Sequence, residues 1–268
     1  MQTNALITLT SDFGLDDPFV GVMKGVILSI NPQANIIDLN HGITSHNIRE
    51  AVFSIGMNYH FFPERTVHMV IVDPGVGSQR RPILVVTDRH YFIGPDNGVF
   101  SRIYEKEKHA LKVIHITADQ YFLKKNSSTF HGRDVFAPVA AWLAHGKDFQ
   151  TFGNLITDFV TMDLAMPKRS NDVLKGEIIH IDKFGNAMTN ISQADINDLI
   201  GMRREYTLRI FLGKKMVPLR KYYGEAKGAA LHAVINSSEY LEFFINRNNA
   251  ARTCNISRGD KVEVKITA

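Results

Sequence analysis

The alternation of apolar and polar positions divides the chain into two regions of different character. In the first region, up to about residue 146, short apolar runs typical of strands alternate with segments whose apolar residues recur at helical spacing. The predicted strands are 5–9, 36–39, 67–72, 83–87 and 91–93, and the predicted helices are 18–30, 48–59, 98–104 and 135–145. This order predicts an α/β fold, with a mainly parallel sheet flanked by helices.

The second region contains shorter and more closely spaced segments. The predicted strands are 176–181, 187–191, 206–212, 233–235, 240–245 and 261–266, with one short helix at 194–200. Such strands, separated by Gly and Asn turns, predict a small antiparallel barrel or sandwich. The poorly periodic segment 147–171 contains the connection. We therefore predict an N-terminal α/β domain over residues 1–165 and a C-terminal β domain over residues 172–268.

The amino-acid composition disfavours several kinds of binding partner and structural element. The 268 residues carry a formal charge of only +4 with dispersed basic residues, which disfavours a nucleic-acid partner. Cys254 is the single cysteine, so no internal disulfide framework and no cysteine-based zinc site are expected. The chain has no secretory pattern at its N-terminus and no apolar window of membrane-spanning length. We expect no membrane partner and a cytoplasmic location.

The segment from Val72 to Arg81 places a carboxylate where chemistry is expected. The apolar run 67–72 predicts a buried strand, and Asp73 follows at its end, before a turn rich in Pro and Gly and the arginines Arg80 and Arg81. Ligands of open α/β sheets bind beyond the carboxyl ends of the strands. Alternatively, Asp73 only bonds its own turn.

A second acidic segment, Ser11 to Pro18, follows the first predicted strand. Its carboxylates could bind a cation or a ribose diol, because the two oxygens of one carboxylate can accept from both hydroxyls. The alternative is that Asp16 or Asp17 caps the next helix, with Pro18 in its first turn. Asp12 is not needed for such a cap.

Three further segments are ambiguous by themselves. A histidine in Phe130–Asp134, ahead of an apolar helix, could be a partner for Asp73 or an ordinary loop histidine. The segments Asp182–Asn186 and Asn236–Tyr240 each suffice as β-turns between strands.

Taken together, these segments, with Gly94–Gly98, resemble those of the S-adenosyl-L-methionine hydroxide adenosyltransferases, the hydrolytic relatives of the fluorinases and chlorinases. The resemblance runs from about Leu6 to Val264 with the motifs in matching order. It implies an α/β domain followed by a small β-barrel, and a homotrimer whose active sites lie between the N-terminal domain of one subunit and the C-terminal domain of the next. It also implies hydrolysis of S-adenosyl-L-methionine to adenosine and L-methionine, with no cofactor and no metal.

The resemblance assigns the water-activating triad to Asp73, Arg80 and His131, and spacing from Asp73 favours Arg80 over Arg81. The halogenating enzymes carry a tyrosine at the position that matches Asp73. By this resemblance, the aspartate implies that hydroxide is the nucleophile at the ribose C5′ carbon. The chain differs from the halogenases at His46, where they have a tryptophan, and at Ser238, where they have an arginine.

The resemblance also assigns the substrate contacts. The matching residues are Asp12, Asp17, Phe130, Asp182, Asn186, Ser237, Asn249 and Ala250. Asp12 would hold the ribose hydroxyls and Phe130 would line the sugar. Asp17 and Asp182 would bind the methionine ammonium, and Ser237 would face the methionine carboxylate. Asn186, Asn249 and Ala250 would form the adenine site.

Two other functions fit parts of the pattern. The Asp-rich first loop suggests a calcium-dependent nucleoside hydrolase, whose activity a chelator would abolish. The same motifs could instead form a non-catalytic binding module for adenosine or S-adenosylmethionine, in which Asp73→Ala would leave the ligand bound and unconsumed, as in the wild type.

Overall fold

The structure, a computed structural model, describes residues 6–124 and 127–267. The chain divides into two compact units, residues 1–163 and 164–268. The predicted domain limits, 1–165 and 172–268, stay predictions, and residues 1–5, 125, 126 and 268 within them lie outside the described residues.

The first unit contains a seven-stranded sheet with helices on both faces. Its strands are β1 (Leu6–Ser11), β2 (Asn35–Asn40), β3 (Val67–Ile71), β4 (Pro82–Val86), β5 (Tyr91–Pro95), β6 (Lys112–Ile116) and β7 (Gly153–Ile156). Its helices are α1 (Phe19–Ile30), α2 (Ile48–Asn58), α3 (Ser101–Lys106) and α4 (Ala137–Ala144). The strand order is β2-β1-β3-β5-β4-β6-β7, in which the first four strands are mutually parallel and the last three extend the sheet antiparallel.

Two apolar cores enclose this sheet. Residues Val67, Met69 and Ile71 of β3 pack into one core with α1 and α4, while Val70 faces the other core with α2 and α3. All five residues of β3 are buried, as expected for a central parallel strand covered on both faces. The predicted α/β class with a parallel-rich, helix-flanked sheet is therefore confirmed.

The second unit is a nearly closed, barrel-like sheet of nine strands. Its strands are β8 (Lys168–Ser170), β9 (Val173–Ile181), β10 (Ala187–Ser192), β11 (Thr207–Leu212), β12 (Lys215–Val217), β13 (Leu219–Arg220), β14 (His232–Ile235), β15 (Tyr240–Phe244) and β16 (Lys261–Thr267). Its helices are α5 (Gln193–Ile200) and α6 (Ala250–Cys254). The strands are antiparallel except for the pair β13–β14. Ser192 and Asp195 form a capping box that begins α5.

Among the described residues, no helix is both long and apolar enough to cross a bilayer.

Candidate active site

The first unit carries a cavity of about 620 Å³ where β1 and β3 end. These neighbouring parallel strands pair Ser11 with Ile71, so that Asp12 and Asp73 emerge at the same edge of the sheet. Both aspartates line the cavity, together with Asp17, Phe130 and His131. Five residues predicted from three separate segments thus come together around one cavity.

Asp73, Arg80 and His131 form a connected group at this cavity. Arg80 donates from Nε to Asp73 Oδ1 over 2.8 Å and from Nη2 to Asp73 Oδ2, which is a bidentate ion pair. The same Nη2 lies 2.9 Å from His131 Nδ1. The Asp73 and Arg80 side chains are only 6% and 8% exposed, so this pair is shielded from water. The neighbouring Arg81 turns away and binds Asp96 and Asp158 instead.

The contact with Arg80 determines the protonation state of His131. A guanidinium carries only donors, so His131 Nδ1 must accept and the neutral ring carries its proton on Nε2. Burial, together with the neighbouring Arg80 charge, lowers the pKa of His131 below its usual value of 6.5. The imidazole is therefore neutral at physiological pH and presents an N–H donor at Nε2.

Arg80 has one further donor. Its Nη1 is buried and has no hydrogen-bond partner within residues 6–124 and 127–267. Buried donors in proteins are normally paired.

The loop that carries His131 is held close to the Asp73 loop. Gly77 has φ +79°, and a Cβ there would collide with the backbone carbonyl of Ser128, so the two loops touch where only glycine fits. The wholly buried Asp134 accepts the Ser127 backbone N–H over 2.6 Å and pairs with Arg133. A π-helical turn, Gly132–Phe136, then leads into α4.

Asp12 and Asp17 lie on the wall of this cavity. Asp12 Oδ2 accepts the backbone N–H of His46 over 2.8 Å, which leaves Oδ1 for a ligand. Helix α1 has Pro18 at its N-cap position and no side-chain cap, so the alternative role of Asp16 or Asp17 as a helix cap is not adopted. Asp17 is exposed on the cavity wall.

An aromatic cluster that the sequence did not predict forms another part of the wall. The rings of Phe13, Phe19 and Phe130 lie 5.4–5.9 Å apart between centroids, and all three line the cavity. The Arg133 guanidinium lies 5.1 Å from the Phe130 centroid. Only Phe130 belongs to the predicted set; the spacing of Phe13 and Phe19 around the acidic segment was the available signal.

The second unit carries a separate cavity of about 700 Å³, lined by Asp182, Asn186 and Asn249 among others. Asp182 Oδ1 accepts the backbone N–H groups of Phe184 and Asn186, so this carboxylate also organises its own turn, as the alternative interpretation expected. Asn249 caps α6 by accepting the Arg252 N–H over 2.7 Å.

Two predicted contact residues line neither cavity. Ser237 is exposed in the turn between β14 and β15. Ala250 is fully buried at the start of α6 and can offer only backbone groups. Tyr223, which no sequence motif marked, lines the second cavity; its hydroxyl donates to the buried carboxylate of Glu242 over 2.8 Å.

No group of three or more His, Cys, Asp or Glu side chains within the described residues is arranged to hold a metal ion. The three aspartates of the first cavity have different surroundings. Asp12 accepts a backbone N–H, Asp17 is exposed, and Asp73 is paired with an arginine.

The segment after β3 presents an acid and a guanidinium, and a neighbouring loop adds an imidazole, beside a partly aromatic cavity. Such a site at the strand ends of a parallel-rich sheet is typical of α/β enzymes that act on small molecules. Comparison with known proteins identifies the class further. Residues 7–153 match the model of the SAM hydroxide adenosyltransferase N-terminal domain, and residues 176–263 match that of its C-terminal domain.

Individual relatives agree with this match. The chain is 35% identical to "(R)-S-adenosyl-L-methionine hydrolase" of Methanocaldococcus jannaschii, covering 97% of this chain and 95% of that protein. It is 31% identical to the protein of the same name from Thermus thermophilus, covering 95% and 97%. A "Fluorinase" from an Actinoplanes species is 27% identical over 97% of each chain.

Among solved structures, an uncharacterized conserved protein from Thermotoga maritima superposes with a TM-score of 0.89 at 33% identity, covering 97% of this chain and 99% of that one. The chain belongs to the SAM hydroxide adenosyltransferase family.

Proposed function

We propose that this protein hydrolyses S-adenosyl-L-methionine to adenosine and L-methionine, without a cofactor or a catalytic metal. The observation that carries the proposal is the partly buried Asp73–Arg80–His131 group beside the first cavity, in a chain of this family. S-adenosylmethionine is the substrate. Its sulfonium is already a good leaving group, so the protein must mainly position and activate a water molecule.

The chemistry follows from the donors and acceptors of the group. Water attacks the ribose C5′ carbon in line with the C–S bond. The C5′–O bond forms, the C5′–S bond breaks, and its electron pair goes to sulfur, which leaves as the thioether of methionine. The proton of the water goes to Asp73, because the neutral His131 already carries its proton on the nitrogen that Arg80 does not occupy. General-base assistance of this kind typically contributes about 10²–10⁴-fold in rate.

The other two members of the group are donors toward the water. Nη1 of Arg80 is buried without a partner among the described residues, and His131 offers Nε2–H. Two donors and one carboxylate acceptor hold a water in one orientation, and such positioning of reactants can contribute about 7–11 kcal/mol to lowering a barrier.

The predicted substrate contacts belong to this proposal. Asp12 offers Oδ1 to the ribose hydroxyls, Asp17 offers a carboxylate to the ammonium, and Phe130 lines the sugar. The second unit contributes Asp182, Asn186, Asn249, the backbone of Ala250, and Ser237 for the carboxylate. The family resemblance is the support for a homotrimer in which each complete site combines the first unit of one subunit with the second unit of the next.

The names of the relatives refine the substrate. They specify the R configuration at sulfur, since the carbon centre is already given as L. We propose that this chain also prefers the R sulfonium. A cytoplasmic location, which the single cysteine favours, is part of the same proposal.

The decisive experiment incubates the purified protein with each sulfonium epimer and quantifies adenosine and methionine by chromatography. Hydrolysis in ¹⁸O-labelled water places the label at the 5′ oxygen of adenosine, and a chelator leaves the rate unchanged. Asp73→Ala retains substrate binding but loses turnover. The absence of adenosine with both epimers would refute the proposal and leave a binding module, whereas loss of activity with chelator would favour the metal-dependent nucleoside hydrolase. Sedimentation analysis tests the trimer.

A further inference from the structure

The Gly94–Gly98 segment has no role in the chemistry above, although it lies beside the catalytic loop. Its first two residues end β5, which pairs in parallel with β3 in the register Met69 to Ile93. The carboxyl ends of these two strands therefore lie at the same edge of the sheet. The segment after β3 carries Asp73 and Arg80, and the segment after β5 carries Asp96 and Asn97.

Asn97 fixes the point where the catalytic loop begins. Its Nδ2 donates to the backbone carbonyl of Val72 over 2.9 Å, directly before Asp73. Its Oδ1 accepts the backbone N–H of Val99 over 3.2 Å. Because both ends of the amide are engaged, its orientation is set by its own turn, and the carbonyl of Val72 is held against it.

Arg81 fixes the point where the catalytic loop ends. Its backbone carbonyl accepts the Asp96 N–H over 2.9 Å, and its guanidinium donates to Asp96 Oδ2 from Nε over 2.9 Å and from Nη2 over 2.7 Å. The Asp96 side chain is only 2% exposed, and its other oxygen accepts the Val160 N–H over 2.8 Å. Asp96 is thus itself immobilised.

We propose that Asn97 and Arg81 are positioning residues that set the geometry of the Asp73–Arg80 pair. They act through the backbone on either side of residues 73–80: Asn97 holds the Val72 carbonyl, and Arg81 is held by Asp96. The same short turn after β5 holds both ends of the loop, so a displacement of that turn moves the carboxylate and the guanidinium together. The inference concerns turnover and therefore rests on the proposed hydrolysis.

The test replaces the amide donor with an acceptor of the same shape. Asn97→Asp removes the N–H that holds the Val72 carbonyl but keeps the oxygen that accepts from Val99. Asn58→Asp is the matched control, since Asn58 Nδ2 donates in the same way to the Ser54 carbonyl over 2.8 Å in α2, outside the described cavities. Asn97→Ala is a second, uncharged variant in case the added charge prevents folding.

We expect kcat to fall about 10- to 100-fold in both Asn97 variants with KM changed less than threefold, because a misplacement of about 1 Å can cost about 10²-fold in rate. Asn58→Asp should keep the wild-type kcat even where its melting temperature falls as much. A purely structural role for Asn97 predicts wild-type kcat per folded molecule, and such a result in both variants would overturn the proposal.

A readout that does not depend on hydrolysis separates this inference from the proposed function. The Nε–H of Arg80 is bonded to Asp73 over 2.8 Å and should give a protected NMR signal. Asn97→Asp should shift this signal and speed its hydrogen exchange, while Asn58→Asp should not. An unchanged Arg80 signal would contradict the positioning role, whether or not the wild type forms adenosine.

Discussion

Replacing Arg80 with lysine keeps one positive charge but removes the planar fork that organises the site. In the wild type, Nε and Nη2 each bond one oxygen of Asp73, and Nη2 also reaches His131 Nδ1. A lysine ammonium is a single centre at the end of a flexible chain, and it cannot bond both carboxylate oxygens and the imidazole in these directions. Arg80→Lys should therefore bind substrate but turn it over slowly.

The size of the effect follows from the bonds that are lost. Hydrogen bonds to charged groups contribute about 1.5–3 kcal/mol each, and the low exposure of Asp73 and Arg80 places this pair near the upper part of that range. If one such bond is lost from the reactive geometry, the barrier rises by the same amount. Since about 1.4 kcal/mol corresponds to tenfold in rate, kcat should fall roughly 10- to 150-fold.

The assay is adenosine formation at saturating substrate, combined with isothermal titration using a non-hydrolysable substrate analogue. Arg203→Lys is the matched control, because Arg203 pairs with Asp172 at the surface of the second unit, with side chains 40% and 53% exposed. We expect no change in kcat there. The reasoning is refuted if Arg80→Lys retains kcat within twofold of the wild type, or if its only defect is weaker binding.

Three further predictions concern pH and backbone conformation. Burial and the Arg80 charge lower the pKa of His131 below 6.5, so the imidazole stays neutral when the pH falls to that value. The acid limb of the pH profile of kcat should therefore have its midpoint below pH 6.5. A midpoint above pH 6.5 would contradict a neutral His131. Burial lowers the pKa of His68 to about 3, so between pH 3 and 6.5 the unfolded chain binds a proton that the folded state excludes, and stability decreases as pH falls. In urea unfolding between pH 4 and 5.5, His68→Gln should reduce that pH dependence of stability by about 1.3 kcal/mol per pH unit, and equal slopes in the two proteins would contradict this prediction. Gly185→Ala should destabilise the second unit by about 1–3 kcal/mol and raise KM. The reason is that Gly185 has φ +86° and that a Cβ there would collide with the Asn249 side chain. A variant with the wild-type melting temperature and KM would disprove this prediction.

The sequence predicted the first five strands of the first unit, from the edge strand β2 to the fully buried β3, but it missed β6, whose short apolar run is interrupted by His115. Every residue from Val67 to Val72 is buried because both faces of β3 are covered, and the run is apolar except for His68. Asp73 follows this run and lines the first cavity. The short strands β8, β12 and β13 were not predicted, since two or three residues carry no periodic signal. Strand β7 at the sheet edge is largely exposed and lacks an apolar run.

The site divides along similar lines. Local motifs indicated the aspartates and His131, and spacing favoured Arg80 over Arg81. The structure has Arg80 on Asp73, whereas the partner of Arg81, Asp96, was not predicted. Tyr223 lies in an irregular segment without a motif, and its place on a cavity wall depends on long-range pairing with Glu242. Contacts that join distant parts of the chain leave little local trace in one sequence.

The direction of the His131 side chain depends on how many residues the π-helical turn Gly132–Phe136 contains, as well as on which residues they are. A π-turn accommodates one residue more than an α-turn, and one residue corresponds to about 100° of rotation around a helix axis. Deleting a single residue from this turn, with every catalytic side chain still present in the chain, would swing the imidazole away from Arg80. The direction in which His131 faces the first cavity thus depends on the number of residues in this turn.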